Sequence, residues 1–397
     1  MNADWPHTVD HQRDQLDGII PPHVSDERVG EAWARAVWSL ITEPGDGVAG
    51  QLVAAMGADG ALRELGTHAH GRATPRSDAF TQALGRWLPR LSPIAVDGMF
   101  RTARLSRLRL ITPSDDEWPA GVSDLGVHAP LVLWVRGPGS ALRTDGLRVA
   151  LVGARASSSY GELVAADLAG DLVARGACVV SGAAYGIDGV AHRAALGCGG
   201  ETIAVLAGGV DRPYPSRHSD LIARIADAGA VISEVAPGSA PTKSRFLQRN
   251  RVIAAMSHAT VVVEAGWRSG SLNTAGHAAA LGRPLGAVPG QVTSTTSAGC
   301  HRLLREFDAT CITSSADILE LVGWDTGGSA SSAAETGEAP VLDALDGRVG
   351  RPTEEVARRA GIPVPQVEAQ LGLFELEGFV VREDSGWRRA ASRRKGG

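Results

Sequence analysis

The chain has 397 residues, 44% of them apolar, which is enough for two or three domains with hydrophobic cores. Its formal net charge of -5 argues against a protein that coats nucleic acid through overall positive charge, so any nucleic-acid binding requires a local basic patch. The four cysteines form no C-x-x-C pair, the start has no basic-then-apolar signal pattern, and no apolar run reaches the roughly 20 residues of a membrane helix, so we expect a reduced, cytoplasmic, multidomain protein with no membrane partner.

The N-terminal part of the chain has a helical pattern. Ala, Leu, Trp and Arg recur with helical spacing between residues 26 and 92. The turn signal EPGDG at residues 43–47 interrupts this pattern. We therefore predict a small helical domain over residues 26–92.

From Arg148 onward, short β-branched runs alternate with Ala-rich helical segments. Such alternation indicates a doubly wound parallel sheet with helices on both faces. We predict an α/β protein with an extended Rossmann-like domain over residues 113–322. The predicted strands are 149–152, 178–180, 202–206, 231–234, 260–264, 285–288 and, more weakly, 310–312.

The C-terminal part begins with residues 324–339, which are mostly Gly, Ser, Ala and Thr and predict a flexible linker. Residues 340–389 predict three helices and a two-stranded hairpin, the pattern of a winged helix. The predicted recognition helix, 366–377, carries three glutamates and no Lys or Arg. A transcription regulator that reads duplex DNA through this helix is therefore the weaker alternative, and contact with a protein fits better.

Candidate ligand residues follow the predicted strands, where open α/β sheets bind their ligands. After the first strand, Gly153 would let the backbone approach a ligand, and Arg155 would place a guanidinium beside the free N–H groups of a helix start, which suits phosphate. The segment is not G-x-G-x-x-G, so we expect no dinucleotide cofactor and no other cofactor.

The second strand leads into a similar glycine-punctuated segment. Its candidate ligand residues are Ser181, Gly182, Tyr185 and Gly186. Asp188 and His192, one helical turn apart, could form a metal or acid–base pair, but a role for Asp188 as the N-terminal cap of its helix explains its position more simply. We expect no metal site here.

The fourth strand is followed by a cluster of cations around one aromatic residue. The cluster comprises Lys243, Arg245, Phe246, Arg249, Asn250 and Arg251. A charged groove with an aromatic platform suits single-stranded nucleic acid, because bases stack on the ring while cations follow the backbone. We expect Lys243 and Phe246 to contact this ligand.

Part of this cluster has a simpler structural explanation. Phe246 could seal the core, and Arg249 and Arg251 could pair with Glu234 and Glu264. Both explanations are compatible, because the arginines would then hold the loop that presents the other residues.

The fifth strand precedes the segment SGSLNTA at residues 269–275, where Ser269 and Gly270 could hold a further phosphate at a helix start. Ser269 as a nucleophile is the competing hypothesis. No G-x-S-x-G segment surrounds it, and the nearest histidines in the sequence have no evident orienting acid. We therefore expect no catalytic residues.

With these residues laid out, the chain resembles the DNA-processing protein A family (DprA, also called Smf) from about residue 118 to residue 322. The resemblance rests on the segments Gly153-Ala154-Arg155, Ser181-Gly182, Gly186-Ile187-Asp188, Arg249-Asn250-Arg251, Ser269-Gly270-Ser271-Leu272 and Val288-Pro289-Gly290.

The resemblance implies a non-enzymatic protein that binds and protects incoming single-stranded DNA, forms a homodimer and loads the RecA recombinase in natural transformation. Residues 26–92 would be a SAM- or HhH-like domain, and Arg155, Lys243 and Phe246 would line the DNA groove. Tyr185 stands where the family usually has arginine, and His218 where it usually has asparagine. The groove therefore has less positive charge than is usual, although Tyr185 could stack on a base.

A Rossmann-like nucleotide-binding enzyme, of the phosphoribohydrolase kind, is the main alternative. Such enzymes carry a P-G-G-x-G-T-x-x-E motif, whereas Val288-Pro289-Gly290 runs here into Gln291-Val292-Thr293.

Overall fold

The structure, a computed structural model, describes residues 8–69, 77–143, 146–324, 341–347, 349–376, 379–383 and 385–390. It divides into two units, Met1–Trp324 and Asp325–Gly397. The predicted linker, apart from Trp324, lies outside the described residues. No helix within these ranges is both long and apolar enough to cross a membrane.

Five helices open the first unit. They are α1 Val9–Leu16, α2 Asp26–Ile41, α3 Gly47–Ala69, α4 Asp78–Trp87 and α5 Pro93–Leu105. Helix α2 begins after Ser25, whose side chain accepts a hydrogen bond from the N–H of Arg28. Its apolar face buries Trp33 and Trp38 completely in a core that also contains Trp134 of the sheet. The helices thus extend beyond the predicted span of 26–92 and share a core with the sheet, and a separate domain over that span stays a prediction.

A nine-stranded sheet forms the centre of this unit, in the order β1-β2-β6-β5-β4-β3-β7-β8-β9. The strands are β1 Arg109–Ile111, β2 Leu133–Arg136, β3 Arg148–Gly153, β4 Cys178–Ser181, β5 Thr202–Val205, β6 Ala230–Ser233, β7 Ala259–Glu264, β8 Leu285–Ala287 and β9 Thr310–Cys311. Strands β3 to β9 are parallel, which confirms the predicted Rossmann-like fold. The antiparallel strands β1 and β2 at one edge were not predicted.

Helices cover both faces of the sheet. They are α6 Ser140–Arg143, α7 Ser159–Ala174, α8 Ile187–Gly197, α9 Ser219–Ala228, α10 Lys243–Met256, α11 Ser271–Ala280, α12 Ala298–Glu306 and α13 Ser315–Leu321. Successive residues of β3 therefore enter different cores, with Leu151 on one face and Val152 on the other. This explains why the strands read as continuous apolar runs rather than as an alternating pattern.

The sheet reverses its direction of winding between β3 and β7. The chain proceeds from β3 through β4, β5 and β6 on one side and returns with β7, β8 and β9 on the other. At the shared edge the N–H of Ala154 donates to the carbonyl oxygen of Glu264 at 2.7 Å. The connections that leave β3 and β7 diverge here, which opens the crevice where proteins of this architecture bind ligands.

The second unit has the predicted winged-helix elements. Residues 341–343 are helical and are followed by α14 Thr353–Ala360, α15 Val364–Leu376 and the antiparallel hairpin β10 Val380–Glu383 and β11 Gly386–Arg389. Val356, Leu371 and Phe374 form its small core together with Trp387 of the hairpin.

Candidate functional site

A cleft of about 830 Å³ lies at the carboxyl ends of β3 and β7. Four parts of the chain build most of it: the β3–α7 connection, the β4–α8 connection, the first turns of α10 and the β7–α11 connection. These are segments that the sequence predicted to carry the site, and the fold brings them together at the point where the sheet reverses its winding.

Three exposed cations line this cleft: Arg155, Lys243 and Arg268. Within the described parts of the chain, none of them forms an ion pair with a carboxylate. Arg155 and Lys243 were predicted. Arg268 was missed, because the segment around it was considered only as a helix start, although a cation directly before the Ser-Gly-Ser segment was a usable signal. The three cations come from the β3–α7 connection, the start of α10 and the β7–α11 connection, and they line one volume.

An aromatic pair forms one side of the cleft. The guanidinium carbon of Arg155 lies 5.0 Å from the centroid of the Phe246 ring, which is a cation–π contact. The ring of Tyr214 lies 5.6 Å from Phe246, tilted by 54°. Tyr214 is 51% exposed and received no role from the sequence. Phe246 therefore does not seal the core; both rings present surface on which a planar group can stack.

Arg249 lines the cleft, but the residue is only 6% exposed and its side chain is held by the protein itself. Its Nη1 donates to the carbonyl oxygens of Gly182 at 2.8 Å and Val205 at 2.5 Å, and its Nε donates to Oδ1 of Asn250 at 3.1 Å. Burial lowers the pKa of Arg249 to about 10, although the negative charge of Asp188 acts to raise it. Arg249 therefore fastens α10 to the ends of β4 and β5.

Arg251 and Glu234 form the buried pair that the sequence suggested. Their Nη2 and Oε2 atoms are 2.5 Å apart, and each side chain is less than one-tenth exposed. Burial raises the pKa of Glu234, and Arg251 opposes that rise. The suggested pairing of an arginine with Glu264 is wrong, because Arg249 points to β4 and β5, and Glu264 instead accepts a hydrogen bond from the N–H of Ser158 at 2.8 Å.

Arg245 is also neutralised. Its Nε and Nη2 donate to both carboxylate oxygens of Glu43 at 2.8 and 3.0 Å. The pKa of Glu43 is lowered: burial alone would raise it, but Arg245 and Arg90 outweigh that effect. The turn predicted at residues 43–47 thus holds the start of α10, and the predicted cluster of four cations contributes one free cation, Lys243, to the cleft.

The hydrogen bonds of Asp188 and His192 indicate structural roles for both residues. The Oδ2 atom of Asp188 accepts from the N–H of Gly182 at 3.1 Å, and burial raises the pKa of Asp188 against the pull of Arg249. The cap position of α8 is Gly186, so the prediction of Asp188 as the cap is wrong; Asp188 is inside the helix and folds back to the β4 turn. Nδ1 of His192 is 2.8 Å from the hydroxyl oxygen of Thr202, and burial lowers the pKa of His192 to about 3.

The predicted glycines are places where a side chain cannot fit. A Cβ on Gly153 would lie 2.5 Å from Cγ1 of Ile187, and one on Gly182 would lie 1.9 Å from Nη1 of Arg249. Gly186 has a φ of +72°, and its Cβ would lie 2.2 Å from the carbonyl oxygen of Ala154. Ser181 is fully buried and donates to the carbonyl oxygen of Leu151 at 2.6 Å. Of these four residues Gly153 lines the cleft, whereas Ser181, Gly182 and Gly186 are not among its lining residues.

The remaining predicted residues divide between the cleft and its surroundings. Ser269 and Gly270 line the cleft at the start of α11, and the hydroxyl oxygen of Ser269 is 2.7 Å from that of Ser271. Asn250 lines it too, and its Nδ2 donates to the carbonyl oxygen of Gly270 at 3.3 Å.

Tyr185 is not among the residues that line the cleft. Its ring packs edge-on against His218, with 4.9 Å between the ring centroids. Tyr185 and His218, both positions at which the sequence departs from the resembled family, are therefore in contact with each other.

The fold and this cleft define a class of protein: a Rossmann-like sheet with a basic, aromatic-lined crevice at the reversal point of the sheet, followed in sequence by a winged helix. The chain belongs to the DNA recombination-mediator protein A family, whose model matches residues 109–323, and the DprA winged helix domain matches residues 328–386. The DprA/Smf resemblance of the sequence is thereby confirmed.

Individual relatives agree with this assignment. A DprA relative in Mycobacterium tuberculosis is 48% identical over 298 residues, which cover 70% of this chain and 76% of the relative. Protein Smf of Escherichia coli is 36% identical over 288 residues, with the same coverage of both chains. The crystal structure of DNA processing protein A from Streptococcus pneumoniae superposes with a TM-score of 0.60 at 31% identity, covering 73% of this chain and 97% of that one.

Proposed function

We propose that this chain is a non-enzymatic, homodimeric mediator of recombination that binds single-stranded DNA in the cleft, protects incoming DNA and loads RecA onto it. The family supplies the general setting of DNA processing. Single-strand binding is the step that the described residues address directly, and RecA loading follows from what a recombination mediator does.

One observation carries the proposal: three cations without carboxylate partners in the described structure line the same cleft as a partly exposed aromatic pair. Arg155, Lys243 and Arg268 can each neutralise a phosphate, while Phe246 and Tyr214 can stack with bases. A duplex keeps its base faces stacked on one another, so the aromatic pair contributes only to a single strand. The arrangement therefore favours single-stranded over duplex DNA.

The surroundings of Ser269 favour binding over nucleophilic catalysis. Its hydroxyl forms a hydrogen bond with Ser271 rather than with a histidine. A nucleophilic serine requires a base within hydrogen-bond reach. The enzymatic alternative is tested by incubating the protein with nucleoside monophosphates; release of free base above a buffer control would contradict the proposal.

The test of binding is fluorescence anisotropy with a labelled oligonucleotide, single-stranded and duplex, at two salt concentrations. Arg155→Ala, Lys243→Ala and Arg268→Ala should each weaken single-strand binding and reduce the salt slope by about 0.7. Arg224→Ala is the matched control, because Arg224 is exposed on α9 of the same unit and does not line the cleft. Unchanged binding in all three cleft variants would refute the cleft as the DNA site.

The test of loading is RecA filament assembly on single-stranded DNA that is already covered by a single-strand-binding protein. Wild-type protein should shorten the delay before filaments form, and Arg155→Ala should not. No acceleration by wild-type protein that binds DNA normally would refute loading and leave the binding proposal intact. Sedimentation of the full chain tests the homodimer.

A further inference from the structure

An acidic residue of the N-terminal helices lies directly against the start of α10. Glu43 is in the turn between α2 and α3, and both of its carboxylate oxygens accept hydrogen bonds from Arg245, at 2.8 and 3.0 Å. Arg245 is the third residue of α10, and the first residue, Lys243, lines the cleft. The contact therefore joins the N-terminal helices to the edge of the cleft.

The side chain of Arg245 lies beside the cleft. Its Nη1 donates to the carbonyl oxygen of Ala240 at 3.0 Å, and the next two residues, Pro241 and Thr242, line the cleft. Arg245 itself does not line it, and its side chain, held by Glu43, is 15% exposed. An arginine side chain is long and flexible, so release from Glu43 would let the guanidinium reach a strand in the cleft.

The carboxylate of Glu43 occupies the place that a phosphate could take on Arg245. Carboxylates and phosphates both offer two oxygens to the N–H groups of a guanidinium, so they compete for the same arginine. The side chain of Glu43 is 44% exposed, which leaves the pair open to a competing anion. In the other paired arginine of α10, Arg251, both partners are less than one-tenth exposed, which closes that pair to such competition.

Opening the pair with Arg245 would cost the protein little. Ion pairs that are open to solvent contribute little to stability. Nη1 of Arg90 lies 2.9 Å from Oε1 of Glu43, so the carboxylate would keep a cation if Arg245 left it. Burial alone would raise the pKa of Glu43, but the two arginines hold it below its ordinary value, so Glu43 is charged at neutral pH and competes with phosphate there.

We propose that Glu43 limits the affinity of the cleft for single-stranded DNA by occupying Arg245 in place of a strand phosphate. The inference rests on the proposed function, because it requires a strand that passes Lys243. Glu43 does not line the cleft and acts through Arg245, so it is a positioning residue that determines affinity. In wild type, Arg245 is thus a further cation that the N-terminal helices withhold from the strand.

The test is Glu43→Gln, measured by fluorescence anisotropy with a labelled oligothymidine strand over a series of salt concentrations. The carboxamide has nearly the same shape but no charge, so Arg245 becomes available to a phosphate. One additional contact should steepen the slope of log K against log salt by about 0.7, which corresponds to about fivefold tighter binding at 0.1 M salt. The urea midpoint of unfolding should stay close to that of wild type.

Two double variants of equal charge separate a contact by Arg245 from a general change of charge. Glu43→Gln with Arg245→Gln should lose the gain in affinity, whereas Glu43→Gln with Arg90→Gln should keep it, because Arg245 is still present. Asp26→Asn is the matched single control. Asp26 is a carboxylate at the start of α2 that pairs with Arg13 at 2.6 Å and does not line the cleft. This control changes the net charge by the same amount as Glu43→Gln and should bind DNA as wild type does.

The outcomes separate this inference from the proposed function. Unchanged affinity and slope in Glu43→Gln would overturn the limiting role of Glu43 and leave single-strand binding intact. A gain that both double variants keep, or that both lose, would overturn the assignment to Arg245. Weaker binding in Glu43→Gln would show that the pair holds α10 in its binding position, which would also overturn the inference. Absence of strand binding in wild type would refute the proposed function instead.

Discussion

Replacing Arg249 by methionine tests whether this residue supports the cleft structurally or contacts the ligand directly. The variant keeps an unbranched side chain but removes the charge and the donors to Gly182, Val205 and Asn250. It also leaves Asp188 buried without its nearby opposite charge. Removing one of two opposite buried charges leaves the other uncompensated, and the two are near each other without a direct salt bridge in the described structure, so we expect Arg249→Met to lower the free energy of unfolding by about 3 kcal/mol.

The measurement is urea unfolding of the full chain, followed by the fluorescence of the buried tryptophans of the first unit. Since domains have about 5–15 kcal/mol of stability, the variant should fold but unfold at a clearly lower urea concentration. Arg155→Ala should stay within about 0.5 kcal/mol of wild type, because Arg155 is exposed, and should lose DNA affinity instead. If Arg249→Met left stability unchanged and weakened DNA binding as much as Arg155→Ala, Arg249 would be a DNA contact and the reasoning would fail.

The pH dependence of the Arg249→Met defect gives a second check. Burial raises the pKa of Asp188, so the folded state holds that proton more tightly than the unfolded state does. The contribution of Asp188 to stability is therefore largest below a pH of about 3.9, the pKa of an aspartate in the unfolded chain. This contribution is lost as the pH rises. Without Arg249 this pKa rises further, so the stability defect should grow with pH. Adding Asp188→Asn should remove that growth and make the double variant more stable than Arg249→Met at pH 8.

Three further variants test other parts of the fold and the cleft. Burial keeps the pKa of His192 in the folded state at about 3, whereas the unfolded chain gains a proton on this residue below about pH 6.5, so the folded state loses stability as the pH falls. Between pH 7 and pH 5, urea unfolding should show that wild type loses about 2 kcal/mol more stability than His192→Gln. Gly186→Ala, with its positive φ and a Cβ 2.2 Å from the carbonyl oxygen of Ala154, should cost about 2 kcal/mol or more, whereas Gly197→Ala in the same helix has open space and should be neutral or slightly stabilising. Phe246→Leu should lose about 1–3 kcal/mol of single-strand binding without changing the salt slope, and a changed slope would argue against a stacking role.

The sequence predicted the parallel sheet well, because helices cover it on both faces. Such strands must be apolar throughout, and this requirement is recognisable in the sequence as β-branched runs such as residues 260–264. The edge strands β1 and β2 were missed because three or four apolar residues, as in Leu133–Arg136, do not distinguish a strand from a short helical segment.

The sequence also predicted the segments of the cleft but not the role of each side chain. Arg249 and Lys243 are both cations on α10, yet one is buried and the other is exposed. The difference depends on which carbonyl oxygens of β4 and β5 lie below the helix, and no local pattern contains that information. Glu43 is 202 residues from Arg245, so its neutralising effect could not be predicted from the local segment either.

This distribution of charge determines how strongly the cleft would attract the proposed DNA ligand. Of the cations on α10, Arg245 is paired with Glu43, Arg251 with Glu234, and Arg249 is buried near Asp188. An acidic chain thus presents a basic cleft made of Arg155, Lys243 and Arg268, which come from two connections and from the first residue of α10.

The salt dependence of the binding constant reports how many cations of the protein contact phosphates of the strand. Each neutralised phosphate of a single strand contributes about -0.7 to the slope of log K against log salt, so contacts from Arg155, Lys243 and Arg268 give a slope of about -2. If the three other arginines of α10 also reached phosphate, the slope would be about -4. A measured slope near the steeper value would show that DNA opens the buried pairs of α10. A slope near -2 that falls to about -1.4 in Arg268→Ala would place the strand across all three cations, including the one that its local sequence did not reveal.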